Sequence, residues 1–163
     1  MEEFVHQYLN SADALSVYDI GAREVSVGGS YKRLFVKDKW HYCGIDIEAG
    51  DNVDHVLDKE YEWDIGSDSC DVLISGQCLE HVEYPWLTMK EMARVLKPGG
   101  IMCIIVPSAG REHRHPVDCY RFLPDGMKAL AKLIGVDVVK CEYPPLSDRK
   151  WKDTLLIARK PKE

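Results

Sequence analysis

The sequence predicts an α/β protein in three layers, a mostly parallel sheet of about seven strands covered by helices on its faces. Three observations carry this. Short apolar runs recur along the chain, each followed by a turn or a helical stretch. One run, Ile101-Met102-Cys103-Ile104-Ile105-Val106, is almost purely apolar, as a strand buried on both faces should be. Several runs end in an acid or a glycine, where an open parallel sheet places its ligand.

The first candidate strand is Leu15 to Ile20, ending in Gly21. The second is His41 to Ile47, and a weak third is Val53 to Leu57, ending at Asp58. The fourth is Cys70 to Ser75, and the fifth is the Ile101–Val106 run, stopped by Pro107. A helix is expected from Tyr84 to Leu96, because Trp86, Met89, Ala93 and Leu96 fall on one face. Lys97-Pro98-Gly99-Gly100 then stops it with a cation, a breaker and turn glycines. A second helix is expected from Pro124 to Ile134, with Met127, Leu130, Ala131 and Ile134 sharing a face. Pro124 suits its first turn and Gly135 its C-terminal cap. Val136–Cys141 and Thr154–Arg159 read as a closing hairpin-like pair with an antiparallel last strand. The result is a Rossmann-like three-layer sandwich, expected as one domain over residues 1–163 with a minimal N-terminal cap.

Composition narrows the function. The net charge of -6 argues against a general nucleic-acid surface, which needs excess Lys and Arg to neutralise phosphates. The N-terminus MEEFVHQYLN lacks the basic and apolar regions of a signal peptide, and no apolar run is long enough to span a bilayer. A cytoplasmic location without membrane contact is therefore expected. The 6 cysteines show no CxxC spacing. They are expected to be reduced and mostly buried, and no metal site is expected.

The chemistry should lie just after each strand. Gly21 permits close backbone approach to a ligand, although the same glycine also suits an ordinary turn. Asp46 is suited to accept from both hydroxyls of a ribose; the alternative is a solvated loop acid. The separation of 25 residues between them fits one strand–crossover–strand unit.

These residues resemble the class I S-adenosylmethionine-dependent methyltransferases, in the broad group called type 11. Val17-Tyr18-Asp19-Ile20-Gly21-Ala22 resembles the first motif and Gly44-Ile45-Asp46-Ile47 the second. Asp58 and the stretch through Trp63-Asp64-Ile65 stand in the third region, and Ser69–Ser75 continuing into Leu79-Glu80-His81-Val82 in the fourth. Arg94-Val95-Leu96-Lys97-Pro98-Gly99-Gly100 is the most specific stretch. The resemblance implies an enzyme that binds S-adenosylmethionine and releases S-adenosylhomocysteine. It implies that Asp19 orients the glycine turn or reaches the methionine amino group, and that Gly21 and Ala22 pass under the methionine. Asp46 would hold the ribose, Ile47 would pack beside the adenine, and Asp58 would accept from the adenine amine. Ser75 and Gln77 would line the methionine end. His81 reads equally as a packing residue or a ligand contact.

The first motif departs from the usual three glycines. Arg23-Glu24-Val25 follow Ala22, and the next glycines come late, at Gly28-Gly29. A remodelled loop and a short helix from Ser30 to Phe35 are expected. The stretch from Ser108 to Arg121 holds 2 His, 3 Arg and 2 acids, and should face the substrate. His113 or His115 can take a proton from an acceptor. Arg111, Arg114 or Arg121 can bind an anionic group, while Asp118 and Arg121 read also as a structural ion pair.

Two functions remain in view. One is methyl transfer to a small-molecule or saccharide-like acceptor. The other is a non-catalytic S-adenosylmethionine-binding domain, acting as a homo-oligomer or a subunit supporting a partner. A dinucleotide oxidoreductase is disfavoured, because it would want an intact GxGxxG.

Overall fold

The computed structural model describes residues 1–25, 29–144 and 152–162. All seven expected strands form: β1 (Leu15–Ile20), β2 (Trp40–Asp46), β3 (His55–Val56), β4 (Cys70–Gly76), β5 (Leu96–Pro107), β6 (Asp137–Glu142) and β7 (Asp153–Arg159). They build one sheet in the order β3-β2-β1-β4-β5-β7-β6. The first five are parallel, and β7 runs antiparallel to both β5 and β6. The order reverses between β1 and β4, so a crevice opens at their carboxyl ends.

Three α-helices accompany the sheet: α1 (Glu2–Tyr8), α2 (Pro85–Val95) and α3 (Pro124–Leu133). The apolar face of α2 buries Met89, Met92, Ala93 and Val95, whereas the expected Trp86 points to solvent. Trp86 lies in the first turn, one side of the stripe that meets the sheet. In α3, Met127 and Ala131 are fully buried. Gly135 adopts φ +73°, and the amides of Gly135 and Val136 bond back to Lys132 and Ala131. This is a Schellman cap, as the glycine suggested.

Four expectations need correction. The stretch from Ser30 to Phe35 forms only a 3-10 turn, Lys32–Leu34, because Phe35 alone is fully buried and the following residues are exposed. The stretch Lys97–Gly100 belongs to β5 as a bulge: Cys70 pairs with Leu96 while Val72 pairs with Ile101. Gly99 takes φ +78°, and its amide bonds Lys160, which keeps the bulge in the ladder. The segment before β1 contributes more than expected, because α1 buries Phe4 against the sheet. Finally, all six cysteines are free, but only Cys70 and Cys103 are fully buried.

The two sheet faces have separate cores. α2 and α3 pack with Leu73, Met102 and Ile104 on one face; Phe4, Phe35 and Trp40 pack with Val17 and Ile74 on the other. Lys160 ties the end of α2 to the sheet, its ammonium donating to the carbonyls of Ala93 and Leu96 at 2.9 and 2.7 Å. The helices are unevenly shared. Among the described residues, the connections β1–β2, β2–β3 and β3–β4 contain no α-helix. Loops cover that half of the sheet.

Candidate active site

A cleft opens at the carboxyl ends of β1, β2 and β4, enclosing about 860 Å3 with its open mouth included. Gly21, Asp46, Ile47, Leu57, Glu60, Trp63, Gln77, His81 and His115 are among the residues that line it.

The turn after β1 is fixed by the amides of Gly21 and Ala22, which both donate to the Ile45 carbonyl. Gly21 adopts φ +77°, and a Cβ there would come within 2.5 Å of the Cys78 sulfur. The glycine is therefore required by its neighbour as well as by any ligand. Asp46 is held rigidly. One carboxylate oxygen accepts from the Arg23 amide at 3.0 Å and the other from the Glu48 amide at 3.2 Å. Each oxygen keeps a further lone pair.

The departures in the first motif now have a physical account. The Arg23 guanidinium meets Glu48 at 2.6 Å, and its stem lies across Gly50. Glu24 accepts from the Gly29 amide and the Asn52 side chain at 3.1 and 2.8 Å. Together they clasp the loop after β2 onto the loop after β1. Gly28 lies outside the described residues. Gly29, Ser30 and Tyr31 do not line the cleft; the Tyr31 ring packs over Gly76 instead.

Of the expected cofactor residues, Gly21, Asp46, Ile47 and Gln77 line the cleft. Asp19, Ala22 and Ser75 are buried behind it. Ser75 donates to the Ile20 carbonyl at 2.8 Å, joining β4 to β1. Asp58 faces away, into a shallower depression with Lys59, Glu62 and Arg94. Glu60 stands in the cleft in its place, because Leu57, the residue before Asp58, is the one turned inward. Gln77 adopts φ 55° and donates to Asp153 at 3.1 Å.

Asp19 faces the opposite core, accepting from the Tyr42 hydroxyl at 2.7 Å. Burial pushes its carboxyl up to about 7. The folded protein thus holds this proton more tightly than the unfolded chain does. The stabilisation is fully present below the unfolded value of about 4 and is lost as pH rises through about 7. Asp19→Asn removes that dependence. Urea unfolding at about pH 5 and about pH 8 should show a smaller loss of stability in the variant than in the parent. An equal loss would refute the assignment.

The loop after β5 carries a second cluster. Arg121 grips Asp118 through two bonds of 2.5 and 2.8 Å and reaches the Arg111 carbonyl at 2.7 Å. Asp118 also accepts from the His113 amide at 2.7 Å, and these contacts hold its carboxyl well below the usual range. Asp118 and Arg121 are therefore the structural pair. The Tyr120 hydroxyl donates to the Glu83 carbonyl. Arg114 pairs with Glu112 on the surface. The loop brings His113 and His115 against His81, with ring centroids 4.9 and 5.4 Å away. Burial lowers the pKa of His81. Sequence reasoning missed Glu80, which lies fully buried beneath these rings. An acid directly before a histidine, after a strand that ends at the cleft, was the available signal.

Residues 24–104 match the model of a family described as a methyltransferase domain. A Methanosarcina mazei S-adenosylmethionine-dependent methyltransferase is 17% identical and superposes with a TM-score of 0.74 over 98% of both chains. The chain belongs to the class I S-adenosylmethionine-dependent methyltransferases. Among solved methyltransferases, a Burkholderia thailandensis 1,6-didemethyltoxoflavin-N1-methyltransferase with bound 1,6-didemethyltoxoflavin and S-adenosylhomocysteine is 18% identical. It superposes at a TM-score of 0.73, covering 98% of this chain and 76% of that one. A Haloferax volcanii complex of the Trm112 methyltransferase activator with a methyltransferase gives 18% identity and a TM-score of 0.67. It covers 91% of this chain and 83% of that one. These are likenesses of fold. No curated protein matches the sequence.

The methyl donor fits this methyltransferase. The Asp46 oxygens are fixed at the cleft edge, Gly21 offers a turn free of Cβ, and Ile47 leaves a large apolar side chain 48% exposed beside them.

Proposed function

We propose that this methyltransferase methylates a small-molecule or saccharide-like acceptor seated between the cleft and the loop from Ser108 to Arg121. One observation carries the reading: a single cleft runs from Asp46 and Ile47 to His115. Asp46 would accept the ribose hydroxyls and Ile47 would pack beside the adenine. Glu60, rather than Asp58, would accept from the adenine amine. Gly21 and Gln77 would border the methionine, with Ala22 and Ser75 holding the turn from behind. Asp19 would act only through the strand it anchors.

The donor supplies a methyl group already activated as a sulfonium, so the protein has mainly to bind and orient. His115, which lines the cleft, would take the proton an acceptor hydroxyl loses. Incubation with S-adenosylmethionine and a panel of polyhydroxylated acceptors should release S-adenosylhomocysteine and a product heavier by one methylene. Binding of the donor without turnover on any acceptor would instead favour the second reading, a non-catalytic subunit that supports a partner. That alternative draws support from Tyr84 and Trp86, which are 46% and 38% exposed and pack together at the start of α2.

We further assign residues 1–163 to one domain and place it in the cytoplasm, in keeping with its free cysteines. No described helix is long and apolar enough to cross a membrane.

A further inference from the structure

Glu80 is fully buried, and neither of its carboxylate oxygens meets a hydrogen-bond partner. A buried ionised carboxylate in that condition is costly unless positive charge balances it, and the nearby Arg121 guanidinium supplies part of that charge. Two imidazoles face it. His81 Nε2 lies 3.6 Å from Glu80 Oε1, and His113 Nε2 lies 3.9 Å from the same oxygen. One ligand atom from each of the three residues falls within 4.8 Å of the others. Around a tetrahedral zinc ion, ligand atoms stand about 3.4 Å apart, given bonds of about 2.1 Å. The two carboxylate–imidazole separations, 3.6 and 3.9 Å, lie within about half an ångström of that.

The other ring nitrogens support the same chemistry. His81 Nδ1 lies 2.6 Å from the Val117 carbonyl, and His113 Nδ1 lies 3.1 Å from the Arg111 carbonyl. A carbonyl only accepts, so the Val117 contact puts the His81 proton on Nδ1 and leaves its Nε2 lone pair on the Glu80 side, whereas His113 Nδ1 stands between an acceptor, the Arg111 carbonyl, and a donor, the Arg121 guanidinium at 3.5 Å. Metal-binding histidines are commonly oriented by such a second hydrogen bond.

We infer that Glu80, His81 and His113 form a divalent metal site, suited to zinc, at the acceptor end of the cleft. Two imidazoles and one carboxylate leave a fourth position open, the arrangement of a catalytic rather than a closed structural zinc site. His81 also lines the cleft, so that position adjoins the acceptor. His115 stays outside the ligand set, its ring centroid 5.4 and 6.2 Å from the other two. The expectation of no metal site looked to cysteine spacing. These ligands come instead from the turn after β4 and the loop after β5, which only the fold brings together.

The ion's role rests on the methyl-transfer reading: an acceptor hydroxyl bound to it would lose its proton more readily, with His115 as receiver. Binding of the ion does not depend on that reading and is tested without donor or acceptor. Chelator-stripped protein is titrated with cobalt(II), which reports its ligands by absorbance, and then with zinc(II) in competition. One equivalent should bind, with visible bands of a nitrogen–oxygen site and no thiolate charge-transfer band. Glu80→Gln and His113→Ala should each weaken it by roughly 100-fold or more, whereas His115→Ala should retain it. His113 is partly exposed, so its variant decides the matter if Glu80→Gln does not fold, with circular dichroism as the check. Failure to bind one equivalent, or undiminished binding by the folded His113→Ala variant, would overturn the assignment. So would a thiolate spectrum, which would place the ion on a cysteine such as the exposed Cys119.

Discussion

Replacing Asp46 with alanine is expected to weaken S-adenosylhomocysteine binding roughly 100- to 10,000-fold, the effect of losing two hydrogen bonds to a charged acceptor at about 1.5–3 kcal/mol each. Its geometry explains why so much rests on one side chain. The Arg23 and Glu48 amides already fix the carboxylate, so the ribose would meet acceptors that need no reordering. Isothermal titration checks the affinity directly. Asp46→Asn separates charge from shape, because it keeps one acceptor oxygen and should fall between parent and alanine. Undiminished affinity in Asp46→Ala would remove this aspartate from the donor site.

Gly44→Ala should be the most damaging single methyl group near the cleft. The added Cβ would stand 1.8 Å from the Asn52 carbonyl oxygen and 3.0 Å from the Ala22 Cβ. Neither obstacle is the loose end of a side chain. The approach is pinned from both directions: the Asp54 amide donates to the Gly44 carbonyl, and the Gly44 amide to the Asp54 carboxylate, each at 2.8 Å. Relief requires moving the whole loop after β2, at a cost of roughly 3 kcal/mol or more. Chemical denaturation should show that loss, and donor binding should fall with it because the same loop positions Glu48. A variant as stable as the parent would mean that the loop does not hold this close approach.

The seven strands were legible because each apolar run is bounded by a glycine, proline or acid, and an α/β sheet demands that rhythm. The antiparallel closing pair followed from two short runs at the end of the chain. Asp46 was legible as a cleft residue because it ends a strand at the carboxyl edge of a parallel sheet. That Asp58 lines the neighbouring depression and not the cleft was not legible, because β3 has only two residues, too short for its pattern to set which side chain turns inward. The short helix expected at Ser30 failed for a similar reason, since a single turn has too little apolar face to propagate. Glu80 escaped notice because its meaning depends on His113, which lies beyond α2 and β5 in sequence. No local pattern encodes that meeting. Arg23 and Glu24 looked like defects in a glycine motif; their partners Glu48 and Asn52 show them to be its replacement fastening.

The uneven placement of helices gives the sheet one stiff half and one soft half. Strands β5 to β7 lie under helical packing with fully buried methionines on α2 and α3, whereas β1 to β3 are closed over by loops joined through a few side chains. Opening those loops costs less than global unfolding, so amide protons there should exchange with solvent through small local excursions. A ligand that spans Gly21, Asp46 and Leu57 would damp these excursions. Part of its binding free energy then goes into quieting the softer half, and affinity in this protein becomes a measure of how well the loops were already held.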